Sequence, residues 1–210
     1  MDYTHILVAA RLAQADLKTA DEALEASPDF PMRLVLMRHL LVAIANVADL
    51  EVSVRNLYQK HPDLSGTIGP HRKALDFAKY LRNICVGHLN LGLAAKAVEW
   101  RPELNKLLRE DEPPALALAA FMVLETAINT YVVDEVHRFF ESETDLMYPP
   151  DLQRFHDFLG QTVHASLRFV ERLANVAINE GKLADYDATW PDLALKAGQT
   201  DFQFLTKGRR

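Results

Sequence analysis

Arg82, Asn83 and His88 are the residues whose types and spacing could carry out chemistry. Histidine titrates near pH 6.5, so it can accept or donate a proton at neutral pH. Arginine keeps its charge and can hold the oxygens of a phosphate through two parallel N–H donors. Asparagine adds a neutral donor and acceptor beside them. These groups suit acid–base chemistry at a phosphate ester.

The segment from Leu75 to Leu91, which contains these residues, is predicted to form one helix. With Asn83 set at zero and 100° per residue, the polar side chains other than Arg82 and His88 fall within about 40° of Asn83, and most of the remaining arc is apolar. Such a broad apolar arc predicts burial on more than one side. Arg82 and His88 lie within that arc, roughly 9 Å apart along the axis. A second copy of the helix, related by a two-fold axis, would bring two of each around one groove.

The run R-N-I-C-V-G-H from Arg82 to His88 resembles the R-x(4–6)-H signature of the HEPN superfamily, which favours a polar residue directly after the arginine. Proteins of that family are helical and usually dimeric, and many are metal-independent RNases of toxin and abortive-infection systems. The resemblance implies catalytic roles for Arg82, Asn83 and His88 in a composite site at a homodimer interface. It also implies RNA as the substrate, a cognate antitoxin as a further partner, and no cofactor.

Two other Arg/His pairs have the same spacing, Arg33 to His39 and Arg55 to His61. A leucine follows Arg33, and we interpret that pair as a solvated helix edge. An asparagine follows Arg55, but His61 precedes Pro62 at a predicted helix end, where a histidine typically caps the last carbonyls. The second pair remains the alternative functional pair.

A structural role for Arg82 and His88 is the other interpretation. Arg82 would then pair with a buried carboxylate such as Glu125, and His88 would donate to a backbone carbonyl in the core. Gly87 favours a functional role, because a glycine inside a helix costs about 1 kcal/mol relative to alanine. A close helix approach or a substrate contact would explain it. The function that corresponds to the structural role is a non-catalytic helical homodimer that binds a partner or ligand.

Composition is typical of a globular protein with a hydrophobic core: the 210 residues are 49% hydrophobic and 25% charged. The net charge of −6 gives no general basic surface for nucleic acid, so any RNA contact has to be local. The single cysteine, Cys85, excludes an intramolecular disulfide and fits a reducing cytosol. No signal peptide is predicted, and the most apolar run, Ala115 to Leu124, is too short to cross a bilayer. We therefore expect a cytoplasmic protein without membrane contact.

Prolines, glycines and helical periodicity divide the chain into helices. They predict an all-α, up-and-down bundle with additional C-terminal helices, which the resemblance implies is of the HEPN type. A single domain is predicted over residues 1–210, with a loosely held tail at 198–210. Helices are predicted over 3–26, 32–60, 70–100, 103–110, 115–141, 151–179 and, weakly and with a break at Trp190-Pro191, 183–197, with a loop over 61–70.

Other groups of potential ligands are weaker. Asp134 and His137 lie three residues apart on one predicted helix, but the chain contains no Glu-x-x-His to complete a di-iron site. We interpret them as a solvated pair. His156 and His164 lack a third ligand, and we interpret them as surface or core residues. The sequence therefore predicts no metal site.

Overall fold

The structure is a computed structural model that describes residues 2–109, 111–181 and 189–199. The described residues are almost entirely helical, which confirms the all-α prediction. A 3-10 turn covers Arg55–Gln59, another covers Gly69–His71, and a π-helical turn covers Arg82–Val86. Two-residue strands, β1 (Val132–Val133) and β2 (Val136–His137), form one antiparallel pair. The α-helices are α1 (Tyr3–Ala26), α2 (Phe30–Ser53), α3 (Pro62–Ile68), α4 (Arg72–Leu81), α5 (Leu91–Trp100), α6 (Leu104–Leu107), α7 (Pro113–Asn129), α8 (Pro149–Glu180) and α9 (Trp190–Gly198).

Acidic caps and prolines begin the long helices. The side chain of Asp2 accepts from Thr4 N at 2.8 Å, and that of Asp29 accepts from Met32 N at 3.0 Å. These bonds satisfy amides that have no partner inside the helix. Both α7 and α8 begin with a Pro-Pro pair, which suits a first turn where the missing N–H has no partner to lose.

The long helices share one hydrophobic cluster. Helix α1 packs against α2 and α8, and α2 also packs against α4 and α7. The cluster joins side chains from α1 to α5, α7 and α8, with Leu17, Leu40 and Val170 fully buried. A smaller cluster holds α5 and α6 against α7 through Ala97, Leu104, Ala119 and Met122. This packing supports α4 and the connection that follows it.

Phe77 of α4 is the centre of an aromatic cluster. Its side chain is fully buried, and its ring centroid lies between 5.0 and 5.6 Å from those of five other rings. Aromatic pairs at this distance stabilise beyond the area they bury. The rings belong to α8 and to the segment that follows α7, so they fix α4 against both: Tyr131, His137, Phe139, Phe140 and Phe158.

The predicted helix over 115–141 is wrong in its second half. Helix α7 ends at Asn129, and the chain reverses in a hairpin whose turn residues are Asp134 and Glu135. Both have positive φ, 49° and 64°, as a two-residue hairpin turn requires. Asn-Gly or Asp-Gly is the usual signal for such a turn, and Asp-Glu does not provide it.

The loop predicted over 61–70 is also wrong. Residues Pro62–Ile68 form α3, because a proline fits the first turn of a helix as well as it ends one. The helix predicted over 32–60 ends at Ser53 and continues as a 3-10 turn.

Two predictions near the C-terminal side are revised in part. Trp190-Pro191 begins α9, and the part of that prediction over 183–188 lies outside the described residues. Most of the predicted tail, residues 200–210, lies outside them too. The helix predicted over 103–110 is limited to Leu104–Leu107, although residue 110 is itself not described.

His137 is a buried core residue, so its interpretation as part of a solvated helical pair is wrong. Its Nδ1 accepts hydrogen bonds from the backbone N–H groups of Phe139 and Phe140, at 3.1 and 2.8 Å. The proton therefore lies on Nε2, which donates to Ile128 O at 2.9 Å. Burial lowers the pKa of His137 below its usual value. The imidazole is held neutral, and both of its nitrogens are used.

Folding stability should fall as the pH drops below about 6.5, the usual histidine pKa. Burial lowers the pKa of His137 and of His156 in the folded chain. The unfolded chain therefore binds protons in this range that the folded chain does not, and stability is lost as the pH falls toward the folded pKa values. Urea unfolding at pH 7 and pH 5 measures this loss.

His137→Gln should show a smaller loss of stability between the two pH values than the wild type. Phe140→Leu is the control, since it weakens the same cluster without removing a titratable group and should keep the wild-type loss. An unchanged pH dependence in His137→Gln would contradict the assignment.

Candidate active site

The segment predicted as one helix from Leu75 to Leu91 is two helices with a tight turn between them. Helix α4 ends at Leu81, the π-helical turn follows, and α5 begins at Leu91. Gly87 N donates to Arg82 O at 2.7 Å. A Cβ on Gly87 would lie 2.9 Å from that oxygen, closer than real side chains come. Gly87 is therefore required for the close approach that ends the helical segment.

His88 lies outside the helices, which corrects the prediction that it sits on a buried helical arc. It follows Gly87 in a bend, and its side chain is exposed. Two residues later, Asn90 Oδ1 accepts from the backbone N–H of Gly92 at 2.9 Å and so begins α5. None of the described residues forms a hydrogen bond with the His88 imidazole. The proposed core role for this histidine, with a bond to a backbone carbonyl, is wrong.

Arg82 is held by α2. Its Nη2 donates to Asp49 Oδ2 at 2.8 Å, and Lys79 Nζ lies 2.5 Å from Oδ1 of the same carboxylate. The Arg82 side chain is 25% exposed, and its Nε is buried without a partner. The ion pair thus ties the end of α4 to α2 and leaves part of the guanidinium open to solvent.

Asn83 is exposed beside Arg82, so Arg82, Asn83 and His88 all belong to the connection between α4 and α5. The side chains between them are half-buried against the core: Ile84, Cys85 and Val86. Burial raises the pKa of the Cys85 thiol, which makes it a poor nucleophile at neutral pH. The turn therefore presents polar groups outward and packs its apolar groups inward.

Two leucines next to His88 are unusually exposed. Leu89 is 98% exposed and Leu91 is 85% exposed. Burying such a side chain fully is worth about 1.5–3 kcal/mol. A second apolar surface that covered this edge of the site would therefore form a stabilising contact.

Arg55 and His61, the alternative functional pair, each make a separate structural contact. Arg55 donates from Nε and Nη2 to the Glu51 carboxylate at 2.7–3.1 Å. His61 Nε2 lies 3.7 Å from Glu180 Oε1 at the end of α8, so the imidazole faces another helix and does not cap its own. The structure does not bring Arg55 and His61 to a shared exposed turn.

The interpretation of Arg33 as part of a solvated helix edge is wrong. Its Nη1 donates to Leu24 O at 3.0 Å and to Ser27 O at 3.2 Å. These carbonyls lie at the C-terminal end of α1, where they lack partners inside the helix. Arg33 therefore joins α1 to α2.

Glu125 is paired with Arg101 and not with Arg82. Arg101 donates to Glu125 Oε1 from Nε at 3.1 Å and from Nη2 at 2.6 Å. Glu125 Oε2 accepts from Leu146 N at 2.8 Å. Both side chains line a cavity of about 780 Å³ beside the hairpin. The sequence indicates that Glu125 needs a cation as its partner, since it carries the one charge within α7.

Asp49 was missed as the partner of Arg82. The available signal was its position: Asp49 and Glu51 lie in the last turns of α2, where the helix dipole disfavours negative charge. Carboxylates at such a place need cations from elsewhere in the fold.

Comparison of the chain with family models, curated proteins and solved structures found no significant match. In the ranges that the structure describes, no helix is long and apolar enough to cross a membrane. Nor do three or more His, Cys, Asp or Glu side chains of those ranges converge in a way that could hold a metal ion. Function has to be argued from the site itself.

Arg101→Gln should destabilise the fold much more than Arg82→Gln. Removing Arg101 leaves a buried carboxylate without its cation, which costs about 3 kcal/mol. Removing Arg82 leaves Asp49 half-exposed and still paired with Lys79, so we expect a loss below about 1 kcal/mol. Urea unfolding of the two variants measures the difference, and equal losses would mean that Arg82 is as structural as Arg101.

Proposed function

We propose that the chain is a cytoplasmic, metal-independent endoribonuclease of the HEPN type, with Arg82, Asn83 and His88 as its catalytic residues. The observation that carries the proposal is the turn between α4 and α5. Asp49 fixes Arg82 at one end of it, and Gly87 bends the chain so that His88 is exposed at the other. The resemblance to the HEPN signature adds a cognate antitoxin as the expected regulating partner.

The chemistry follows from the proton requirements of RNA cleavage. The ribose 2′-OH attacks the adjacent phosphorus, and His88 takes its proton. The bond from phosphorus to the 5′-oxygen breaks, and a protonated His88 from the second protomer gives that oxygen a proton. The products are a 2′,3′-cyclic phosphate and a free 5′-OH. The exposed N–H groups of Arg82 stabilise the negative charge that grows on the phosphoryl oxygens, and Asn83 orients the phosphate.

A homodimer supplies the second histidine. The exposed Leu89 and Leu91 closely follow His88 in the chain, so a two-fold contact through these leucines would place both copies of His88 near one groove. A second copy of this chain fits the patch because a two-fold contact is self-complementary: each leucine pair covers the other.

A non-catalytic helical homodimer that binds a partner or ligand is the second candidate. The ion pair between Arg82 and Asp49 favours it, because an arginine kept for structure would make such a contact. The two functions differ in the role of His88. A non-catalytic scaffold has no role for an exposed imidazole that lacks a partner among the described residues.

His88→Ala should abolish RNA cleavage without affecting folding. The imidazole is exposed, so its loss should change stability by less than about 0.5 kcal/mol. Loss of an acid–base group should lower the cleavage rate by roughly 100-fold or more. The assay uses total RNA with purified protein in EDTA, alongside thermal melts of each variant.

His61→Ala and His39→Ala are the matched controls, since each removes the histidine of a pair with the same spacing. They should cleave like the wild type. Cleavage lost in His61→Ala but kept in His88→Ala would show that the wrong pair was chosen. Activity that disappears in EDTA and returns with Mg²⁺ would contradict the mechanism.

Leu89→Ser with Leu91→Ser should convert a dimer into a monomer that keeps its fold. Both side chains are exposed in the single chain, so the substitutions remove only a surface contact. Light scattering at micromolar concentration measures the mass. Leu12→Ser is the control, because Leu12 is an exposed leucine on α1. A wild-type protein that is monomeric would remove the composite site.

A further inference from the structure

Three basic side chains line the groove between α2 and α4, and a fourth, Arg82, follows them at the candidate site, where it shares Asp49 with Lys79. The groove itself is lined by residues of both helices and of the turn that follows α2. Each basic side chain is partly exposed. We call this set the basic row: Arg55, Arg72, Lys79 and Arg82.

Glu51 lies beneath the first half of the basic row. Its side chain is only 3% exposed, and it accepts from Arg55 at 2.7–3.1 Å and from Tyr58 Oη at 3.0 Å. Arg72 Nη2 lies 3.5 Å from the same carboxylate. Burial opposes ionisation, but the bonds from Arg55 and Tyr58 outweigh it and lower the pKa of Glu51. The negative charge is inside, and the two guanidinium groups cover it.

Asp49 pairs with the second half of the row, although its side chain is 46% exposed. Its two oxygens are each occupied by a cation, one by Lys79 and one by Arg82. Two carboxylates thus hold four cations in fixed positions. Asp76 is exposed in the same groove, so the row keeps a small positive excess in a chain whose net charge is −6.

We propose that the basic row binds the phosphates of single-stranded RNA and leads the strand to Arg82 and His88. The identity of the strand as RNA substrate rests on the proposed function. Arg72 and Arg82 lie about 15 Å apart along the helical axis at 1.5 Å per residue, which gives the row the length to contact several nucleotides. Phosphate contacts bind without regard to sequence. Side chains already held by carboxylates lose less freedom on binding.

The test variant is Arg72→Gln with Lys79→Gln. It leaves Glu51 bound to Arg55 and Tyr58, and it leaves Asp49 bound to Arg82. Neither carboxylate becomes unpaired, so the fold should be preserved, and a thermal melt verifies this. The control is Arg11→Gln with Lys18→Gln, which removes one arginine and one lysine from the exposed surface of α1.

The probe is a fluorescein-labelled single-stranded DNA oligonucleotide. It has the phosphates that the row would bind but no 2′-OH, so it cannot be cleaved. Fluorescence anisotropy gives the binding constant at salt concentrations from about 50 to 200 mM. Each phosphate contact in a single strand contributes about 0.7 to the slope of log K against log salt. The variant should therefore reduce that slope by about 1.4, and the control should leave it unchanged.

The outcomes separate the basic row from the proposed function. If the variant binds the probe with the wild-type affinity and slope, the basic row does not bind phosphates, even where RNA is cleaved. A wild type that does not bind the probe contradicts the proposal as well. Binding that depends on Arg72 and Lys79, together with no cleavage of RNA by the wild type, supports the row and defeats the proposed nuclease.

Discussion

The packing of Phe77 among five aromatic rings fixes α4, and the candidate site depends on where α4 ends. The ring is buried on one face of the helix, while Arg72 and Lys79 lie partly exposed and contact carboxylates of α2. One short helix is thus held by apolar contacts on one side and by ion pairs on the other. The rigid end that results is what places Arg82 at a defined position before the chain turns.

The ion pairs on α2 offset an electrostatic repulsion within α2. Asp49 and Glu51 lie near its C-terminal end, where the partial negative charge of the helix opposes them. The cations of α4 and of the 3-10 turn neutralise both carboxylates. Glu51 is buried, so losing its cations would be strongly destabilising, whereas Asp49 is half-exposed and shares its charge between Lys79 and Arg82. Each of these basic side chains is still partly exposed to solvent. A contact that stabilises the fold and a surface that binds phosphate are therefore compatible in the same residues.

The sequence predicted the helical class because period and proline position are local properties, and these decide most of this fold. It did not predict the break at Gly87, although both signals for it were in the sequence. Gly87 permits the close approach, and Asn90 caps the next helix. The apolar arc on the side of the predicted helix away from Asn83 continued through the break and concealed it. The choice of Glu125 as the partner of Arg82 was wrong for another reason. Both Asp49 and Glu125 are acids in apolar helices, and only the arrangement of helices in space decides which of them meets Arg82.

The fold itself contains a comparison for His88. His137 is what a structural histidine looks like in this protein: it is buried, both of its nitrogens are hydrogen-bonded, and burial lowers its pKa. His88 has neither the burial nor the partners. The turn that exposes it depends on a glycine at position 87, which no other residue can replace without moving Arg82 O. Folding explains Arg82 through Asp49, but packing and hydrogen bonding give no reason for His88. Under the proposed function, both residues act on a ligand outside the chain.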